Sequence, residues 1–160
     1  MKSYCFVKRF DFPDTNKIFL WNRLVDLRNV RYCKYFGDVE VKQDENDVIT
    51  RKIYVHECQG CFIEKFTKID CENMVIKYKI IFNETSLLRK FTNFKCRISI
   101  YYNDEDEDCD LEWKVNYDLI EGYDNEDVKY ILTKIFTSIS SVYFDLVEDD
   151  GEEEDEEAVA

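Results

Sequence analysis

The pattern that most limits the fold of this chain lies near its C-terminal end. From Val128, apolar residues recur at Ile131, Leu132, Ile135, Ile139, Val142 and Leu146. That three-and-four spacing, held for about five turns, predicts one long amphipathic helix. Asp124 or Asn125 can cap it, and acidic residues in its first turn suit the positive helix end. Ahead of it stand short runs in which apolar and polar residues alternate, the signature of half-buried antiparallel strands. They are 3–10, Gly37–Lys42, Val48–Glu57, Cys61–Ile69, Met74–Phe82, Phe94–Tyr102 and Leu111–Tyr117. In Met74–Phe82 the alternation puts Ile76, Tyr78, Ile80 and Phe82 on one face. In Phe94–Tyr102 it groups Phe94 with Cys96, Ile98 and Ile100. Between the first two runs, Ile18, Trp21, Leu24, Val25, Leu27 and Val30 recur at helical spacing after Asp14 or Thr15. This stretch is one helix or two short ones broken near Asp26.

A sheet with one apolar face and a helix with one apolar stripe must cover each other. The element order therefore predicts an α+β chain: a curved antiparallel sheet of about seven strands wrapped around a long C-terminal helix. A short helical pair follows strand 1, and a cavity can open between sheet and helix. With 12 Phe, 11 Tyr and 2 Trp in 160 residues, the chain has the bulk to line such a cavity. Residues 1–147 read as one domain and 148–160 as a disordered acidic tail.

Charge narrows the partners. The net charge is −13, and nine carboxylates lie in Glu148–Glu157, leaving −4 on residues 1–147. That mildly acidic balance argues against binding of nucleic acid, which needs a basic stripe, and of an anionic membrane surface. The tail can recruit a basic protein partner or simply confer solubility. No run reaches the roughly 18 apolar residues of a membrane span, and the start, MKSYCFVKRFDFPD, has no signal-peptide core. Seven scattered cysteines then read as reduced thiols, and the expected location is cytoplasmic.

Two segments carry a resemblance, EKFTKIDCENMVIKYKIIF (Glu64–Phe82) and LEWKVNYDLIEGY (Leu111–Tyr123). They resemble the plant polyketide-cyclase/dehydrase-like branch of the START-like and Bet v 1-like helix-grip superfamily. That branch includes the lachrymatory-factor synthases and, more distantly, the abscisic acid receptors. The resemblance implies a helix-grip fold over nearly all of residues 3–147. It also implies site positions at Arg51, Glu64 and Tyr78. A further family tyrosine corresponds to Phe94, which lacks the hydroxyl, and HECQGCF has no counterpart of the receptors' gate loop.

Alternation supports the first two positions independently. Arg51 shares parity with Ile49, Ile53 and Val55, and Glu64 with Phe62 and Phe66, so both charges are expected on the concave, apolar side. Burying either alone costs several kcal/mol, and an inward Arg and Glu on adjacent strands can pair. Such a pair can anchor the polar end of a hydrophobic ligand, move a proton as an acid–base couple, or be structural. Tyr78, Tyr117 and Tyr143 are candidates to present hydroxyls to the cavity. Phe94, Ile135 and Ile139 are candidates to line it. Three readings follow: binding of a small hydrophobic ligand or lipid-like metabolite; a cyclase, isomerase or dehydratase using Glu64 and Arg51; or a protein-interaction module with a self-filled cavity. No cofactor is expected.

Other groupings read more plainly. Cys58 and Cys61, with His56, make half a zinc site and lack the remaining ligands, so no metal is expected. His56, the only histidine, alternates with Lys52 on a solvated face. The acidic run Asp104–Asp110 lacks the glycine and closing Glu of an EF-hand loop and reads as a solvated hairpin tip.

Overall fold

The computed structural model describes residues 1–57, 59–103 and 108–159, with side chains through Leu146. Its strands are β1 (Lys2–Phe12), β2 (Phe36–Gln43), β3 (Ile49–Val55), β4 (Cys61–Asp70), β5 (Val75–Asn83), β6 (Phe91–Asn103) and β7 (Asp108–Leu119). They pair antiparallel in the order β1-β7-β6-β5-β4-β3-β2. Helix α1 (Lys17–Val25) and a 3-10 helix (Leu27–Tyr32) follow β1, and α2 (Asn125–Val159) closes the chain. This is the α+β helix-grip arrangement expected from the element order.

Local chemistry sets the boundaries. Asn16, rather than Asp14 or Thr15, caps α1: its Oδ1 accepts the Ile18 N–H at 2.8 Å. The helical stretch does break at Asp26, which ends α1 while its carboxylate accepts the Arg28 N–H that opens the 3-10 helix. Asp124 caps α2 through the Glu126 N–H, and Asn125 receives the Tyr117 hydroxyl at 2.5 Å, tying the helix start to β7.

The buried stripe of α2, Val128, Leu132, Ile135, Phe136, Ile139 and Tyr143, lies against the concave face of the sheet. Trp113 stacks on Phe136 at 4.5 Å between ring centroids and donates its indole N–H to Ser140 Oγ at 3.1 Å. Stacking of this kind is worth about 0.5–1.5 kcal/mol beyond the area it buries.

Alternation fails where strands bulge. Phe82 was expected inward with Tyr78, yet it is exposed. Between the pairs Glu64–Ile80 and Ile63–Phe82, β5 carries one extra residue, Ile81, which inverts the parity beyond it. A bulge in β6 between Thr92 and Lys95, with Asn93 at φ +53°, has the opposite use. It turns both Phe91 and Phe94 inward although three positions separate them. Strand β6 thus begins at Phe91, not Phe94, and β7 begins at Asp108, inside the acidic run. Residues 104–107 of that run lie outside the described residues. The backbone of α2 continues to Val159, through most of the segment read from composition as disordered, whose side chains are likewise outside them. Cys5, Cys33, Cys61, Cys71, Cys96 and Cys109 are free thiols. No helix among the described residues is long and apolar enough to cross a membrane.

Candidate functional site

The register of β3 and β4 places Arg51 directly opposite Glu64. Their inward parity puts both on the concave face, where each is buried, and Arg51 Nε meets Glu64 Oε1 at 2.6 Å. A second guanidinium nitrogen donates to the Leu27 carbonyl at 3.0 Å, so the 3-10 helix covers the pair. The Arg51 Cζ also stands 5.0 Å from the Phe66 ring centroid and 5.7 Å from that of Tyr78. Burial is the largest influence on Arg51 and acts to lower its pKa, but the charge and hydrogen bond of Glu64, with Tyr143 and Tyr78 beside it, together hold the guanidinium above its ordinary value. The pair is therefore a fixed, charged feature in a dry setting.

Two hydroxyls and a thiol surround it. Tyr78 is opposite Cys96 in the β5–β6 register, and both are buried. Burial pushes the Tyr78 phenol and the Cys96 thiol well up, so each stays protonated at neutral pH. Tyr143 comes from α2 and is pushed up to about 12 by burial, with Arg51 acting against that rise. These groups can donate hydrogen bonds but cannot serve as bases at neutral pH.

Arg51, Glu64, Tyr78, Phe94, Ile135 and Ile139 all line one cavity between sheet and α2. Six of the eight expected positions are thereby brought together. Tyr143 reaches Arg51 without lining the cavity, and Tyr117 stands apart. Its hydroxyl is committed to Asn125 and its ring packs against Tyr4 and Phe91, away from the cavity. Being inward on β7 is not enough, because α2 begins beside Tyr117 and occupies the space in front of it.

Sequence reasoning missed Phe36, Leu88 and Phe91 on the wall. Leu88 is the least legible, being an apolar residue in the polar loop NETSLLRK. A local turn seats it: Asn83 donates to the Leu88 carbonyl at 3.0 Å, and Thr85 Oγ1 accepts the Leu88 N–H at 3.2 Å.

The space these residues line measures only ≈ 30 Å³. That is room for one or two waters, whereas drug-sized ligands occupy about 300–1,000 Å³. A larger space adjoins it. Pairing of β5 with β6 stops at Lys79–Lys95, and beyond it Ile80–Asn83 and Phe91–Phe94 diverge. The resulting groove holds ≈ 490 Å³, with Arg89 at its border. It shares Ile80, Phe91 and Phe94 with the inner cavity, so these three side chains form the partition between them.

Among the described residues, no three His, Cys, Asp or Glu side chains stand together as a metal site would require. Cys58 lies outside those residues, while the Cys61 thiol donates to Glu84 at 3.2 Å and His56 is exposed.

No protein-family model matches the chain, and no curated protein matches it in sequence. Solved structures do share its fold. An uncharacterized protein from Bacillus thuringiensis superposes with a TM-score of 0.70 at 12% identity, covering 89% of this chain and 98% of that one. The protein XoxI from Bacillus cereus gives 0.70 at 14%, with coverages of 93% and 97%. The Zhui aromatase/cyclase from Streptomyces sp. R1128 gives 0.67 at 10%, covering 94% of each. The fold is the helix-grip fold. At these identities the likeness concerns architecture alone.

Proposed function

We propose that the protein binds a small molecule with an apolar body and one polar end, taken up through the β5–β6 groove towards the space under α2. The observation that carries this reading is the Arg51–Glu64 pair: two charges buried together on the wall of an otherwise apolar cavity. A ligand carboxylate, carbonyl or hydroxyl reaching the pair finds a fixed donor and acceptor, with Tyr78 and Tyr143 beside them. The adjoining groove is of ligand size, and movement of Ile80, Phe91 and Phe94 would join the two volumes. The resemblance of Glu64–Phe82 and Leu111–Tyr123 to the plant polyketide-cyclase/dehydrase-like branch supports the same reading. In its catalytic form, Glu64 would exchange the proton and Arg51 would offset developing negative charge, as in a cyclase or isomerase.

The cavity of ≈ 30 Å³ favours a second reading, in which the interior is filled by its own aromatic side chains and the pair is structural. Titration with an environment-sensitive apolar dye separates the two. Under the first reading the natural chain binds the dye saturably at one site, and Ile135→Trp, folded by circular dichroism, abolishes binding by filling the cavity. Absence of saturable binding, or binding untouched by Ile135→Trp, would overturn the ligand reading. Turnover of a candidate substrate that is lost in Glu64→Gln while binding persists would establish the catalytic form.

A further inference from the structure

The outer face of the sheet carries a block of positive charge that the linear sequence conceals. The register sets Lys65 opposite Lys79 and Lys79 opposite Lys95, and in the next row Lys77 opposite Arg97 and Arg97 opposite Lys114. Neighbouring strands are roughly 4.8 Å apart and residues i and i+2 are about 6.8 Å apart, so these six cations crowd one small area. Like charges directly opposite one another destabilise a sheet. None of the six has a carboxylate ion-pair partner among the described residues. Nearby acids are engaged elsewhere: Asp70 with Lys68, Glu112 with Arg9, and Asp118 with Ser3 and Asn93. Five of them, all but Lys65, border a shallow groove of ≈ 420 Å³ on the face remote from the cavity. The net charge of the chain does not reveal this block; the strand register does.

An unneutralised cationic block in a chain of net charge −13 calls for an anionic occupant, and the same chain contains one. Glu148–Glu157 holds nine carboxylates within ten residues and no base. It sits on the end of α2, whose last described core contacts are made by Tyr143 and Phe144. From Leu146 to Val159 the continuing helix is about 20 Å long at 1.5 Å per residue. A continuous helix cannot fold back around the sheet to reach its own outer face, but it can reach that of another molecule.

We propose that the outer face of β4–β7 is a docking surface for the acidic C-terminal segment of a second copy of this chain. The contact is head-to-tail, so it leaves a free segment on one molecule and a free patch on the other. It is electrostatic, and salt weakens it as the Debye length falls from about 30 Å at 0.01 M to about 3 Å at 1 M.

Two full-length variants test this. One cancels the patch with Lys77→Glu, Lys79→Glu and Lys95→Glu, which leaves three cations beside three carboxylates. The other cuts the segment from nine carboxylates to six, set against three lysines, with Glu152→Lys, Glu153→Lys and Glu154→Lys. Light scattering of the natural chain at low salt is expected to give a mass rising with concentration to at least twice 19.3 kDa, returning to that value at high salt. Each variant alone is expected to stay monomeric. Mixing them restores one natural segment and one natural patch, and is expected to give a one-to-one complex that goes no further. Circular dichroism first verifies that both variants are folded; if the triple patch variant is not, Lys77→Gln with Lys95→Gln replaces it. A natural chain that is monomeric at low salt overturns the proposal, as does a mixture that fails to associate. So does a patch that ignores the acidic segment but retains single-stranded nucleic acid or anionic vesicles.

Discussion

Arg51 on β3 and Glu64 on β4 close a 2.6 Å ion pair on the concave face of the sheet, and Arg51 extends a second hydrogen bond to the Leu27 carbonyl. One buried contact therefore joins two strands to the 3-10 helix that covers them.

Breaking that pair from one side is expected to be more damaging than removing it altogether. Arg51→Met leaves the Glu64 carboxylate buried without its partner, at a cost of about 3–5 kcal/mol. The double variant Arg51→Met/Glu64→Leu is expected within about 1 kcal/mol of the natural chain, or above it. Urea midpoints of the three chains decide; equal losses in single and double variants would count against a coupled pair.

Stability should fall in alkali through buried phenols. Tyr143 titrates near 12 in the folded chain, against about 10 when unfolded. Between these values the unfolded chain gives up the proton and the folded chain keeps it, so rising pH favours unfolding. The contribution is fully present below about pH 10 and is lost by about pH 12. Two pKa units correspond to roughly 2–3 kcal/mol. In Tyr143→Phe the decline of the urea midpoint from pH 9.5 upward, an interval chosen at roughly the onset of phenol ionisation, should be shallower, with Tyr78 supplying the remaining slope in the same direction.

Leu88 is buried on the cavity wall and comes from the β5–β6 loop, so shortening it should trade stability for space. Leu88→Ala is expected to cost about 2–5 kcal/mol and to tighten binding of the apolar dye. Calorimetry reads the first effect and fluorescence titration the second. A destabilised variant with unchanged dye binding would mean that access does not pass Leu88.

The crowded outer face should yield stability to a single reversal. Lys79 stands between Lys65 and Lys95, so Lys79→Glu turns two repulsive cross-strand pairs into attractive ones. A gain of roughly 0.5–1 kcal/mol is expected, shrinking as salt is raised. Thermal melts at low and high salt test it, and a loss of stability at low salt would contradict the repulsion argument.

Much of the fold was legible in the sequence because periodicity is a local property. The stripe from Val128 to Leu146, the strand alternations and the break at Asp26 each follow from residues near one another in the chain. The same parity put Arg51 and Glu64 on one face, leaving open whether they meet. Their pairing depends on the β3–β4 register, which tertiary structure sets. Bulges likewise escape a strict two-residue period: Ile81 sends Phe82 outward, and the irregularity at Asn93 brings Phe91 and Phe94 in together. Tyr117 reads as a cavity residue by parity, and only the placement of Asn125 at the start of α2 takes its hydroxyl away. The cationic face is spread over four strands whose charges become neighbours only when the strands pair. The sequence by itself determined which residues point inward and which outward along each element, because the α and β backbones impose those periods. Which residues meet, how much space remains among them and where charge accumulates were decided by strand register and helix packing, which join parts of the chain far apart in sequence.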